Sequence, residues 1–181
     1  MKREIKTRDL VYIAVAVAVI TVCSWISIPT VVPFTLQTFA VFFTLSFLGG
    51  KRGTAAILIY LLLGAIGIPV FAEFTSGFGI ILGTTGGYLV GFIFIGLIYW
   101  LAVAICGKKL WVEIVALTVG LIVLYAFGTA WFMIVYARTT GSVGLWTALG
   151  WCVFPFILPD LAKLGLGLLL ARRIAAVQNR K

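Results

Sequence analysis

Long apolar runs, broken by short basic or glycine-rich segments, dominate this chain. A helix needs about 20 apolar residues to cross the hydrocarbon core, fewer where the bilayer thins. Cutting at charges and at Gly/Pro clusters predicts six spans. They are Leu10–Ile28, Pro33–Leu48, Gly53–Val70, Gly83–Cys106, Val112–Tyr136 and Leu149–Arg172. The second is short and carries Thr35, Gln37 and Thr38 near its start. No long linker or internal repeat interrupts the series, so the pattern predicts one domain over 1–181. The longest external connection, apart from the Arg138 loop, is "FAEFTSGFGIIL", Phe71–Leu82. It can form a lid or a flexible turn; loop statistics favour the turn.

The basic residues orient these spans. With the N-terminus in the cytoplasm, the inner segments hold Lys2, Arg3, Lys6 and Arg8, then Lys51 and Arg52, then Lys108 and Lys109, then Arg172, Arg173, Arg180 and Lys181. The outer segments hold only Arg138, and Lys163 falls inside the sixth span. Cytoplasmic loops carry the excess of Lys and Arg. The alternation therefore predicts an all-α integral membrane protein, a six-transmembrane-helix bundle with both termini cytoplasmic.

Composition agrees. Hydrophobic residues make up 63% of the 181 and charged residues 10%, and mean hydropathy is +1.21. A water-soluble domain is far more polar. The N-terminal run is too long for a signal peptide and lacks a small-residue cleavage site, so it reads as a retained first span. A net charge of +9 suggests nucleic acid in a soluble protein. Here it orients the chain and faces anionic lipid. Cys23, Cys106 and Cys152 lack metal-ligand spacing and read as small buried apolar residues.

No histidine occurs, which removes the usual general base and the His-dependent zinc sites. A Ser–Lys or Cys–Lys dyad is arithmetically possible, but the acid beside Lys163 holds it protonated. The chain has no G-x-x-x-x-G-K-[ST] phosphate loop, so uphill transport takes its energy from a partner or an ion gradient. No enzyme, resident cofactor or metal is expected.

One place departs from the apolar pattern. "FPFILPDLAKLGLG", Phe154–Gly167, puts Asp160 and Lys163 inside the sixth span. Counted from Leu149, Asp160 lies about 16 Å along a regular helix, where an ionised side chain costs at least ~2.5–3.5 kcal/mol. The i,i+3 spacing places both charges on one face. Two readings follow. The pair can be a packing salt bridge, with Asp160 capping a helix that restarts at Pro155 or Pro159. Alternatively, a broken helix turns both charges toward a protein-lined cavity. That cavity suits a small polar ligand with N–H groups and a carbonyl or carboxylate, and suits an inorganic cation poorly.

Three weaker features accompany the pair. "AVAVA" in the first span places Ala14 and Ala18 four apart, a small-xxx-small face for a second helix. "GTTGGYLVGF", Gly83–Phe92, opens the fourth span with glycines and Tyr88. "VPFTLQTF", Val32–Phe39, brings Phe34, Gln37 and Thr38 to the second. Glycines there serve packing or ligand approach, and Gln37 bonds a helix or a ligand.

Taken together, "VPFTLQTF", "GTTGGYLVGF" and "PFILPDLAK" resemble the BioY family, the biotin-specific substrate-binding components of energy-coupling factor (ECF) transporters. "LGGKRG" at Leu48–Gly53 and "YLLLGAIGIPVFA" at Tyr60–Ala72 fit it as well. Thr84 departs from the family's proline in a Gly-Pro-Thr-Gly-Gly pattern. The resemblance implies a six-helix bundle in the cell membrane with an outward-facing vitamin pocket. It further implies a complex with a transmembrane coupling protein, met through Ala14 and Ala18, and with two cytoplasmic ATPases. It carries Asp160 and Lys163 over as biotin contacts. Asp160 can accept from a ureido N–H, and Lys163 can donate to the ureido carbonyl or to the carboxylate. Gln37 can serve the ureido group, with Thr38 beside it. Phe34, Phe78 and Tyr88 can cover the bicycle, and Gly86 and Gly87 can let it approach. The competing readings are a component for another vitamin such as thiamine or riboflavin, an unassisted secondary transporter, and a structural membrane protein.

Overall fold

The computed structural model describes residues 7–178. Lys2, Arg3, Lys6, Arg180 and Lys181, counted above in the charge alternation, lie outside the described residues. The chain is built from α1 (Thr7–Trp25), α2 (Gln37–Leu48), α3 (Gly50–Ala65), the short α4 (Phe78–Leu82), α5 (Gly86–Cys106), α6 (Leu110–Thr139), α7 (Leu145–Cys152) and α8 (Phe154–Gln178). Three helices, α1, α5 and α6, and the α7–α8 segment are long and apolar enough to cross a membrane. Many of their large apolar side chains are exposed, among them Leu101, Ile105 and Leu158. In a bilayer that surface meets hydrocarbon, so the exposure carries no solvation cost.

Three departures from the sequence pattern shape one end of the bundle. The second span does not begin as a helix at Pro33. Phe34–Thr35 (β2) instead pairs antiparallel with Ser27–Ile28 (β1), in register Ser27–Thr35 and Ile28–Phe34. The helix starts only at Gln37, whose N–H donates to Thr35 Oγ1 at 3.2 Å. The all-α expectation thus gains a minimal hairpin. At α3 the helix stops at Ala65 rather than running to Val70. The sixth span is two helices, broken at Val153. Pro155 falls in the first turn of α8, where a missing N–H costs nothing. Pro159 stands inside the helix. Asp160 is therefore no helix cap; it lies almost two turns into α8.

The opposite end collects the cations. Arg52 pairs with Asp9 at 2.9 Å. Lys108 donates to the Ser46 carbonyl at 2.5 Å. Arg172 donates to Glu113 Oε2 at 2.6 Å, and Tyr99 donates to Glu113 Oε1 at 2.6 Å. These contacts bring the starts of α1, α3 and α6 together with the ends of α2, α5 and α8. Arg8, Lys51, Arg52, Lys108, Lys109, Arg172 and Arg173 share that end.

Packing follows two tight pairs. α6 lies almost wholly on α5, and α8 lies on α2. In the first pair a Cβ on Gly87 would sit 2.3 Å from Trp131 Cβ, and one on Gly128 would sit 2.3 Å from the Tyr88 ring. Only glycine lets the two backbones approach this closely.

Candidate functional site

Between these pairs lies a cavity of about 230 Å³, of the scale that holds a small organic molecule. Its buried end is polar and its walls are apolar. The β2–α2 stretch supplies Gln37 and Thr38, α5 supplies Tyr88, Leu89 and Phe92, α6 supplies Leu124 and Tyr125, and α8 supplies Phe156, Asp160 and Lys163. The loop after α3 closes the end away from the basic residues with Glu73 and Thr75. Irregular backbone at membrane depth is tolerated where it lines such a cavity; the hairpin does so through Thr35, and Cys152 and Phe156, on either side of the Val153 break, stand in the lining.

At the buried end Asp160 is 2% exposed. Its Oδ1 accepts from Thr38 Oγ1 at 2.8 Å and from Lys163 Nζ at 2.9 Å. Its Oδ2 accepts from the Tyr125 hydroxyl at 2.7 Å. A carboxylate offers about four lone-pair positions, so one more donor fits on Oδ2. Lys163 also donates to the Thr35 carbonyl at 2.7 Å, and its Nζ stands 4.2 Å from the Phe34 ring centroid. The ion pair on α8 is thus compensated by groups from three other elements, β2, α2 and α6, which is what a buried pair requires. Gln37 is 4% exposed, and its Nε2 has no hydrogen-bond partner. A buried amide without a partner costs about 1–3 kcal/mol. It stands in the same lining as the free lone pair of Asp160.

The expected residues divide. Asp160, Lys163, Gln37, Thr38 and Tyr88 all line the cavity. The Tyr88 hydroxyl is taken up by Thr129 Oγ1 at 3.0 Å, which leaves its ring as wall. Phe34 stands behind the wall, under Lys163 and 5.6 Å from Phe156. Phe78 is 64% exposed on α4 and does not reach the lining. Gly86 and Gly87 face helix contacts, since a Cβ there would meet Ile81 O at 1.7 Å and Trp131. Thr85 lines the cavity in their place. Thr84, the departure from the family pattern, lies in the turn before α5, which starts as the glycines dictate. Ala14 and Ala18 are both exposed on α1, away from the cavity. Cys152 is a buried wall residue, whereas Cys106 is exposed at the end of α5, unlike the buried role expected of it.

Tyr125, Glu73, Phe92 and Phe156 escaped sequence reasoning. The first sits in a uniform apolar helix 35 residues from its partner. No local signal marks it beyond its hydroxyl at membrane depth. Glu73 was legible as the acid of the Phe71–Leu82 connection.

The arrangement defines a multi-pass helical membrane protein with a small-molecule cavity ending in a buried ion pair. The chain belongs to the BioY family, whose sequence profile matches residues 1–180. It is 38% identical over 174 residues to the biotin transporter BioY of Thermotoga maritima, covering 94% of this chain and 98% of that one. To the probable biotin transporter BioY of Pyrococcus horikoshii it is 39% identical over 170 residues, covering 93% and 97%. Among solved structures, the S-component for biotin from an ECF-type ABC transporter superposes with a TM-score of 0.82 at 26% identity, covering 97% of this chain and 95% of that one.

Proposed function

We propose that this chain binds biotin and serves as the substrate-specific component of an ECF-type transporter in the cytoplasmic membrane. The observation that carries the reading is the pairing of two complementary groups in one buried lining. The Gln37 amide has donors to give, and Asp160 Oδ2 has room to accept. A cyclic urea presents a carbonyl and N–H groups on one edge and meets both. The thiophane ring and chain then lie against Tyr88, Phe92 and Phe156. Thr38, Tyr125 and Lys163 hold the Asp160 carboxylate in place, so the site is formed before ligand arrives. Phe34 stiffens Lys163 from behind, and Gly86 and Gly87 set the α5 start against its neighbours. Phe78, exposed on α4, contributes at most to the outer approach.

Six crossings are made by α1, α2, α3, α5, α6 and the α7–α8 segment, with both termini in the cytoplasm. The cluster of basic residues at one end supports that orientation. The cavity then opens outward, as uptake requires. Ala14 and Ala18, exposed four residues apart, form the face for a transmembrane coupling protein that is driven by two cytoplasmic ATPases.

The test is calorimetric titration of the detergent-purified chain with biotin, with Asp160→Asn alongside. Saturable binding that the variant loses supports the reading. A folded wild type that takes up no heat from biotin removes it.

A further inference from the structure

A second cavity lies behind the first. α6 and α8 barely touch, and between α6 and α7 a cleft of about 400 Å³ remains. Two rows of side chains wall it, each at four-residue spacing. Tyr125, Thr129 and Met133 stand on α6, and Leu145, Leu149 and Val153 descend along α7 to the break. Ala126 and Ala130 are small and exposed, and they leave its mouth open. α6 and the α7–α8 segment are both long and apolar enough to cross a membrane, so the mouth faces hydrocarbon.

The cleft offers nothing polar. The Tyr125 hydroxyl is spent on Asp160 at 2.7 Å, and the Thr129 hydroxyl is shared with Tyr88 at 3.0 Å. An apolar cavity of this kind stays dry and takes up apolar molecules. Its length names the occupant. Tyr125 stands at the middle of the 30-residue α6, and the cleft runs from there toward the end away from the basic residues. From Tyr125 to Met133 the rise is about 12 Å at 1.5 Å per residue. Half of a bilayer's hydrocarbon core is about 15 Å. A transmembrane helix, about 10 Å across, does not fit within this volume over that length, whereas a single extended chain does.

We infer that the cleft holds one acyl chain of a phospholipid from the leaflet away from the basic residues, and that this chain forms the back wall of the ligand site. Tyr125 lines both cavities. Thr129 in the cleft holds Tyr88 in the ligand cavity, and Val153 in the cleft adjoins Cys152 in the ligand cavity. The partition is therefore one side chain thick. A side chain with a void behind it forfeits its contacts on that side. A chain in the cleft restores them, and it braces the Tyr125 ring with its hydroxyl on Asp160. The wall role rests on the biotin reading above; occupation of the cleft does not.

The experiment has two arms, both on the purified full chain in bilayer discs. In the first, phosphatidylglycerol carrying a photoactivatable diazirine in its acyl chain is crosslinked and the modified peptides are mapped. Crosslinks should concentrate on residues 122–133 and 145–153, above the level at the exposed α5 side chains Leu101 and Ile105. Ala126→Leu with Ala130→Leu fills the cleft from its mouth and should abolish that excess. In the second arm, biotin is titrated in discs of straight-chain phosphatidylglycerol and of diphytanoyl phosphatidylglycerol, whose methyl-branched chains are too wide for the cleft. The wild type should bind biotin severalfold more weakly in the branched lipid, and the double-leucine variant should bind equally in both. Crosslinks spread evenly over the membrane-facing surface overturn the inference, as does an excess that the leucines leave in place. A wild-type affinity indifferent to chain branching overturns the wall role and leaves biotin binding standing. A folded chain that binds no biotin in either lipid removes the biotin reading, and the crosslinking pattern alone then decides the cleft.

Discussion

The Tyr125 hydroxyl donates to Asp160 Oδ2 at 2.7 Å, joining α6 to α8 where the two helices otherwise barely touch. It fixes the carboxylate from the side opposite Thr38 and Lys163. Removing the hydroxyl leaves the ring and deletes one hydrogen bond to a charged group, worth about 1.5–3 kcal/mol. Tyr125→Phe should therefore weaken biotin binding by about tenfold or more and lower the thermal midpoint slightly. Titration and a melting curve on the same preparation separate the two effects.

Packing and binding roles of the ion pair are separable by a double substitution. Asp160→Asn leaves Lys163 buried beside a neutral amide, and breaking a buried pair costs about 3–5 kcal/mol. Asp160→Asn combined with Lys163→Met removes both charges, and should regain most of the lost stability. It should not regain biotin binding. Recovery of binding along with stability would return the pair to a packing role.

Gly128 sets the position of the Tyr88 ring. A methyl at that position would lie 2.3 Å from the ring, and overpacking costs about 1–3 kcal/mol. Gly128→Ala should push Tyr88 toward the cavity and reduce biotin affinity at least severalfold, with a folded circular-dichroism spectrum. Gly165→Ala, on α8 with open space at its Cβ, should change neither affinity nor stability.

Glu113 offers the converse. It is 1% exposed and accepts from Tyr99 and Arg172 at the basic end. Glu113→Gln should lower the thermal midpoint and leave biotin affinity within about twofold, because distant sites add independently. A large affinity loss would show that the two ends are coupled.

Ala14→Trp with Ala18→Trp should leave biotin binding by the isolated chain intact. Co-purification of a coupling protein, and uptake that depends on its ATPases, should both fall. Pull-down and radiolabelled uptake in cells expressing the whole complex read this out.

Periodicity and charge placed most of the bundle and five of the residues that line the cavity. Asp160 and Lys163 stood out because ionisable residues at membrane depth are costly, and Gln37, Thr38 and Tyr88 followed as polar residues near helix starts. Other features depend on contacts between segments distant in the sequence. Tyr125 matters through Asp160, and Phe156 through the turn its helix takes after Val153. That break lies two residues before Pro155, so the proline follows the bend instead of marking it. Phe34 and Phe78 looked alike in sequence as aromatics beside glycine or proline. Their separation, one beneath Lys163 and one facing outward, comes from a two-residue hairpin and a five-residue helix too short to leave a periodic signal.

α6 is joined to α8 at two points, Glu113–Arg172 near the basic end and Tyr125–Asp160 beside the cavity. Twelve residues separate Glu113 from Tyr125, about 18 Å of helix at 1.5 Å per residue. That makes α6 a lever with its fulcrum at the basic end. A swing of about 3° about the fulcrum carries the Tyr125 hydroxyl about 1 Å over this arm, enough to part it from Asp160. The Tyr125–Asp160 bond is thus the long-arm restraint on the angle between α6 and α8, and it keeps the α6 wall of the cavity in register with the carboxylate.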